Sequence, residues 1–116
     1  ALLAEKKSIK SIDSHEQKEY LEIAGICREL KDGVPKSYRS ALQSVWFLMV
    51  CLQMESNAAS FSMGRLDQYL LPWYLQDIES GILTREDALE LTESFFLKFN
   101  QIVCMRSGTE AKYFPF

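Results

Sequence analysis

The spacing of apolar residues predicts a chain built from helices. Between Ser14 and Lys31, Tyr20, Ile23, Ala24, Cys27 and Leu30 recur at the interval that gathers them on one helical face. Ser14 and Gln17 have capping-box spacing at its start, and Asp32-Gly33 followed by Pro35 stops it. Gly25 lies inside this helix at a cost of about 1 kcal/mol relative to alanine, so a closely packed neighbour is expected there. A second helix is expected from Ser37 to about Glu55, capped by Ser37. Its centre, Val45 to Leu52, is apolar throughout. That run alone also fits a strand, but it sits in a longer stretch without a turn residue, which favours a buried helix. Ser56 to Gly64 breaks the pattern and reads as a loop, with a short strand possible at Ser60 to Ser62. The helical rhythm resumes from Arg65 to Ser80 around Pro72, which lacks a backbone donor and disfavours helix at Leu71. Two short helices or one kinked helix are expected there, ended by Gly81. The last predicted helix runs from Thr84 to Arg106. Thr84 and Asp87 cap it, and Ala88, Leu91, Thr92, Phe95, Phe99 and Ile102 form its buried stripe.

Charge divides the chain unevenly. Residues 1–40 carry eight Lys/Arg and seven Asp/Glu, residues 41–64 carry only Glu55, and residues 65–116 carry five and eight. The middle stretch is therefore expected to be buried on almost every side. A chain of 116 residues has little surface with which to wrap it. The chain opens on Ala-Leu-Leu and stops on Tyr-Phe-Pro-Phe, whereas termini are usually polar. The expectation is a piece of a larger protein.

Composition removes several function classes. At 47% hydrophobic and 25% charged residues the chain is globular in type. A net charge of −3 lacks the basic surplus of nucleic-acid binders. The densest apolar run falls far short of the ~18 residues of a membrane span, and ALLAEKKSIK is no secretory signal. Neither nucleic acid nor membrane is expected as a partner. Cys27, Cys51 and Cys104 form no CxxC pair and no even framework, which suits a reducing, cytoplasmic setting and thiols packed in the core. His15 is the only histidine, so neither a histidine-based metal site nor a Ser/His/Asp set is expected, and its polar surroundings place it at the surface. The glycines have no phosphate-cradling spacing. Glu86, Asp87, Glu90 and Glu93 read as a cap and a solvated face.

The segment from Glu55 to Tyr69 stands apart. It follows the most apolar helix, so it is expected to be buried, yet it is rich in hydroxyls and amides and carries Arg65 and Asp67. Buried polar groups left unpaired cost about 1–3 kcal/mol each. Arg65 and Asp67, two residues apart, would face away from each other on a helix, so each is expected to need its own partner. Physical chemistry leaves two readings open here: the wall of a ligand pocket, or a polar network that only fixes the loop.

Several stretches together resemble the pyruvate formate-lyase family of glycyl radical enzymes. They are Ala41-Leu-Gln-Ser-Val-Trp-Phe47, Gln53-Met-Glu-Ser-Asn57, Ser62-Met-Gly-Arg-Leu-Asp-Gln-Tyr69 and Pro72-Trp-Tyr74. Ile26-Cys27-Arg28 and Thr84-Arg-Glu-Asp-Ala-Leu-Glu-Leu91 are similar as well. The resemblance implies a parent enzyme on a ten-stranded α/β barrel, usually a homodimer. On that basis the chain is expected to be a mostly α fragment of four to five helices, with residues 1–116 forming part of a domain. It also implies that an activating enzyme of the radical S-adenosylmethionine type installs a radical on a C-terminal glycine. That radical oxidises a barrel cysteine, whose thiyl form attacks a small-molecule substrate in the absence of oxygen. Both groups fall downstream of these residues, so no catalytic residue is expected within them, and Cys27, Cys51 and Cys104 do not match the family's cysteine loop. The substrate-facing positions carry over to Ala59 and Ser60, and a later pocket aromatic to Phe114. Asn57, Arg65 and Asp67 are expected in a structural polar network.

The Asp67-Gln-Tyr69 run resembles the lyase, dehydratase and decarboxylase branch, which acts by radical C–C, C–N or C–O cleavage. Ala59 stands where the glycerol-type enzymes have histidine, which argues against a diol substrate. The alternatives are formate C-acetyltransferase proper, or a non-enzymatic helical module that uses the Val45 to Leu52 face to bind a partner helix.

Overall fold

The structure is a computed structural model and describes residues 1–10, 13–56 and 62–100. Among them the chain forms six helices and no strand: α1 Leu2–Lys10, α2 Ser14–Lys31, α3 Tyr38–Ser56, α4 Leu66–Tyr69, α5 Leu71–Glu79 and α6 Arg85–Phe99. None of these helices is long and apolar enough to cross a membrane.

Helix α1 has no counterpart in the expected elements. Its apolar residues Leu2, Leu3 and Ile9 are all exposed, so no buried stripe marks it. Polar contacts hold it to α2 instead: Glu5 pairs with Arg28, and the Lys7 ammonium lies 5.7 Å from the Tyr20 ring centroid. The buried residues of the pair are small, Ser8 on α1 and Ala24 on α2.

Helix α2 keeps its expected bounds, but its cap is Asp13, one residue before Ser14; the Asp13 carboxylate accepts the His15 N–H at 3.0 Å. Gly25 meets nothing within 4 Å of where a Cβ would stand, so the expected close packing is absent.

Helix α3 starts at a reciprocal serine cap. The Ser40 N–H donates to Ser37 Oγ at 3.1 Å, and the Ser37 N–H returns a bond to Ser40 Oγ at 3.0 Å. Arg39 reaches back to Glu22 at 2.9 Å and ties α3 to α2. Further along, α3 packs on α2, α5 and α6. One side stays open. Met49 is buried, but Phe47 is 42% exposed, Leu48 59% exposed, and Cys51 exposed. The expectation of burial on nearly all sides, and of a core position for Cys51, does not hold in these 116 residues. Cys27 is half-buried, and Cys104 lies outside the described residues.

Two short helices form here as expected, but the break falls at Leu70, which caps both α4 and α5, and Pro72 sits in the first turn of α5, where its missing donor costs no helical bond. Leu71, expected to stay out of helix before the proline, is instead the first residue of α5. Helix α5 closes in a Schellman turn: Ile82 N–H donates to Asp77 O and Gly81 N–H to Ile78 O. Gly81 takes the left-handed φ of 69° that this turn demands. Helix α6 opens with the Thr84–Asp87 capping box and runs to Phe99, with Asn100 as its C-cap; the expected continuation to Arg106 lies outside the described residues. Phe95 and Ala88 are buried on its inner stripe, and Leu91 and Phe99 pack beside them. Ile102 lies outside the described residues.

The core gathers Tyr38, Ala41, Leu42, Leu70, Ala88 and Phe95 where α3, α5 and α6 converge. Its rings meet edge to face, Tyr38 on Tyr74 at 5.8 Å and Trp46 on Phe99 at 5.5 Å.

Candidate functional site

The α3 N-terminus is held by groups from two other helices. Asp77 on α5 is 2% exposed, and its Oδ2 accepts the Tyr38 N–H at 2.7 Å. The Trp73 indole N–H donates to the Pro35 carbonyl at 2.9 Å, and the Gln76 amide to the Lys36 carbonyl at 3.2 Å. On α6, Thr92 Oγ1 donates its proton to the Ala88 carbonyl at 2.6 Å, so the 2.8 Å bond between Tyr38 and Thr92 runs from the tyrosine hydroxyl. A sequence pattern carries little trace of this hub. The one available signal is Asp77 itself, a carboxylate inside the apolar run Leu71 to Ile78.

Against this hub lies residues 62–71, the described half of the polar segment. Gly64 turns the chain at φ 68°, and its N–H donates to Ser62 Oγ at 3.2 Å. The Tyr69 hydroxyl donates to the Met63 carbonyl at 3.1 Å and closes the turn over α4. Partial desolvation of the Tyr69 side chain, which stays 39% exposed, raises its pKa above the ordinary tyrosine value. The turn and the hub enclose a cleft of about 420 Å³. Leu66, Leu70, Leu71 and Phe96 make it mostly apolar, and Tyr38, Thr92 and Asp67 are polar residues of its lining. Its size and lining suit a small organic molecule or a side chain.

Sequence-predicted site residues fall on both sides of what is described. Asn57, Ala59, Ser60 and Phe114 lie outside the described residues. Arg65 and Asp67 are within them, exposed, and paired with each other at 3.3 Å. Separate partners are unnecessary because Arg65 is the non-helical cap of α4, with φ −89° and ψ 75°, and is free to reach forward. Ser62, Gly64 and Arg65 are likewise exposed, so this part of the segment is not buried as expected. His15 is exposed, 3.9 Å from Glu19. Neither Cys27 nor Cys51 lines the cleft. Among the described residues no three His, Cys, Asp or Glu side chains converge on a metal position. The arrangement supports binding and positioning, and no bond-making step is assigned to it.

Comparison with known proteins adds what the geometry leaves open. The family model described as pyruvate formate lyase-like matches residues 1–116. The chain is 37% identical over 100 residues to (2S)-3-sulfopropanediol dehydratase of Klebsiella oxytoca, an overlap of 86% of this chain and 12% of that protein. It is 35% identical over 104 residues to the 4-hydroxyphenylacetate decarboxylase glycyl radical subunit of Clostridioides difficile, covering 88% and 12%. It is 40% identical over 89 residues to the trans-4-hydroxy-L-proline dehydratase of Clostridioides difficile, covering 76% and 11%. The chain thus spans 11–12% of the length of these relatives. With the family model matched over residues 1–116 and relatives at 35–40% identity covering three quarters or more of it, the chain belongs to the pyruvate formate lyase-like family of glycyl radical enzymes.

Proposed function

We propose that these residues are part of a larger glycyl radical enzyme that cleaves a C–C, C–N or C–O bond in a small polar substrate. Residues 1–116 form part of its domain and supply scaffold and one wall of the substrate pocket. The observation that carries this reading is the family match over the full chain, joined to relatives named as dehydratases and a decarboxylase. The radical glycine, the thiyl cysteine and the ten-stranded barrel belong to the remainder of the parent. A radical S-adenosylmethionine activating enzyme, a homodimeric partner, and an anaerobic, cytoplasmic setting belong to the same proposal.

The names of the three relatives specify substrates that carry or derive from alcohols and phenols: a propanediol, a hydroxyphenylacetate and a hydroxyproline. A hydroxyl-bearing substrate is proposed here too, with Ser60 as its hydrogen-bonding partner and Ala59 and Phe114 as apolar neighbours. Asn57, Arg65 and Asp67 hold the loop behind them. The exposed Arg65–Asp67 pair fits that supporting role, since it braces the start of α4.

The test uses the full-length polypeptide, incubated without oxygen with an activating enzyme and S-adenosylmethionine. The expected result is a protein-based radical signal by electron paramagnetic resonance and turnover of one member of a hydroxylated substrate panel. Ser60→Ala is expected to lower kcat/KM about tenfold, the worth of roughly one hydrogen bond, with the radical signal intact. Absence of a radical after activation overturns the enzyme assignment; full activity in Ser60→Ala overturns the pocket assignment.

A further inference from the structure

A second cleft, of about 640 Å³, opens on the opposite side of the α3 N-terminus, between α2, α5 and α6. Its lining is predominantly acidic: Glu19 and Glu22 from α2, Asp77 from α5, and Asp87 and Glu90 from α6 share it with the Arg39 guanidinium and with His15, whose ring lies 3.9 Å from Glu19. Arg39 is already engaged by Glu22 at 2.9 Å. Asp87 is occupied with Thr84 in the α6 cap. Asp77 is different. It lines this cleft while 2% exposed, and although its Oδ2 takes the Tyr38 N–H, its Oδ1 is buried with no hydrogen-bond partner. A buried carboxylate oxygen without a donor is costly, and native proteins nearly always supply one.

The donor has a definite chemistry. A metal ion needs several oxygens converging at about 2.0–2.6 Å, and no such group exists among the described residues. A spread of carboxylates around a roomy cleft calls for a larger cation with several donors in different directions. Guanidinium answers that description: it is planar, always charged, and offers five N–H groups. The volume admits the guanidinium together with its aliphatic stem, which the cleft's Leu83 and Leu91 would cover.

We propose that this cleft seats an arginine side chain from the part of the parent polypeptide beyond residues 1–116. The proposal rests on the reading of the chain as part of a longer enzyme, and the overlap of only 11–12% with its relatives leaves ample polypeptide to supply that arginine. The arginine donates to Asp77 Oδ1 and faces Glu90, which has no ion-pair partner among the described residues. It thereby clamps the α2, α5 and α6 faces to the remainder of the molecule.

Arginine-selective modification of the full-length protein tests this, with phenylglyoxal as reagent and peptide mass mapping as readout. In the unchanged protein one arginine outside residues 1–116 is expected to be protected. Its modification rate rises at least fivefold in Asp77→Asn, and also in Glu90→Gln, which lies on the cleft wall and leaves the α3 cap untouched. Arginines elsewhere keep their rates, which separates a lost partner from general unfolding. If Asp77→Asn fails to fold, Glu90→Gln carries the test. The proposal is overturned if no arginine beyond residue 116 changes in either variant, or if Arg39 alone does. The intact mass of the natural polypeptide, read in the same experiment, tests the fragment reading separately.

Discussion

At the scale of single residues, Asp77 ties together two helices far apart in sequence. Its carboxylate is the acceptor for a backbone N–H at the start of α3, 39 positions away in sequence. Asp77→Ala leaves that buried N–H without a partner. The expected loss is about 1–3 kcal/mol of stability, measured as a lower urea midpoint. Asp77→Asn keeps an acceptor and loses less. Tyr69 makes a different kind of prediction. Partial desolvation raises its pKa, so the folded state favours the neutral phenol. Below the ordinary tyrosine value of ~10 both folded and unfolded phenols are protonated and the contribution is fully present. As pH rises from there through the raised folded value, the unfolded chain ionises first and the contribution is lost. Tyr69→Phe should therefore flatten the fall of melting temperature above pH ~10. An unchanged slope would show that the phenol is solvated.

At the scale of elements, Thr84 and Asp87 carry the clearest sequence signal, and the structure forms both bonds of the box. Thr84→Ala should cost about 1 kcal/mol and speed hydrogen exchange at the Asp87 amide, the group that loses its acceptor. The same kind of local signal explains why α2, the division into two helices around Pro72 and the stop at Gly81 were legible from sequence: each depends on residues within one or two turns. What was not legible depends on partners far along the chain. Helix α1 buries only Ser8 and is held by Glu5 and Lys7 against α2, so apolar periodicity had nothing to report. Arg65 and Asp67 were expected to part because helical geometry was assumed at Arg65, which instead caps α4. Asp77 left only a faint trace, a carboxylate within an apolar run, because its partner at the α3 N-terminus lies 39 positions away in sequence. Of the substrate-facing residues, Ala59 and Ser60 were located only through resemblance, and they lie outside the described residues.

At the scale of the whole molecule, charge and burial disagree along α3. Residues 41–64 carry one charge, yet Phe47, Leu48, Cys51 and Met54 are exposed. Positions 47, 51 and 54 fall on one helical face, with 48 beside them, so the exposure forms a continuous apolar stripe. Contiguous exposed apolar surface is a common feature of interfaces. On the proposed reading the remainder of the enzyme covers it, and that gives opposite outcomes in two contexts. With Phe47→Glu and Leu48→Lys together, the 116-residue chain alone should become more soluble and bind less of an apolar dye, because a greasy surface has been replaced by charge. In the full-length protein the same pair should lower the melting temperature by many degrees, because burying charges without designed partners costs several kcal/mol. A full-length protein that melts unchanged would mean that the stripe faces water there too. The rival reading, a helical module that holds a separate partner on this face, would then account better for α3.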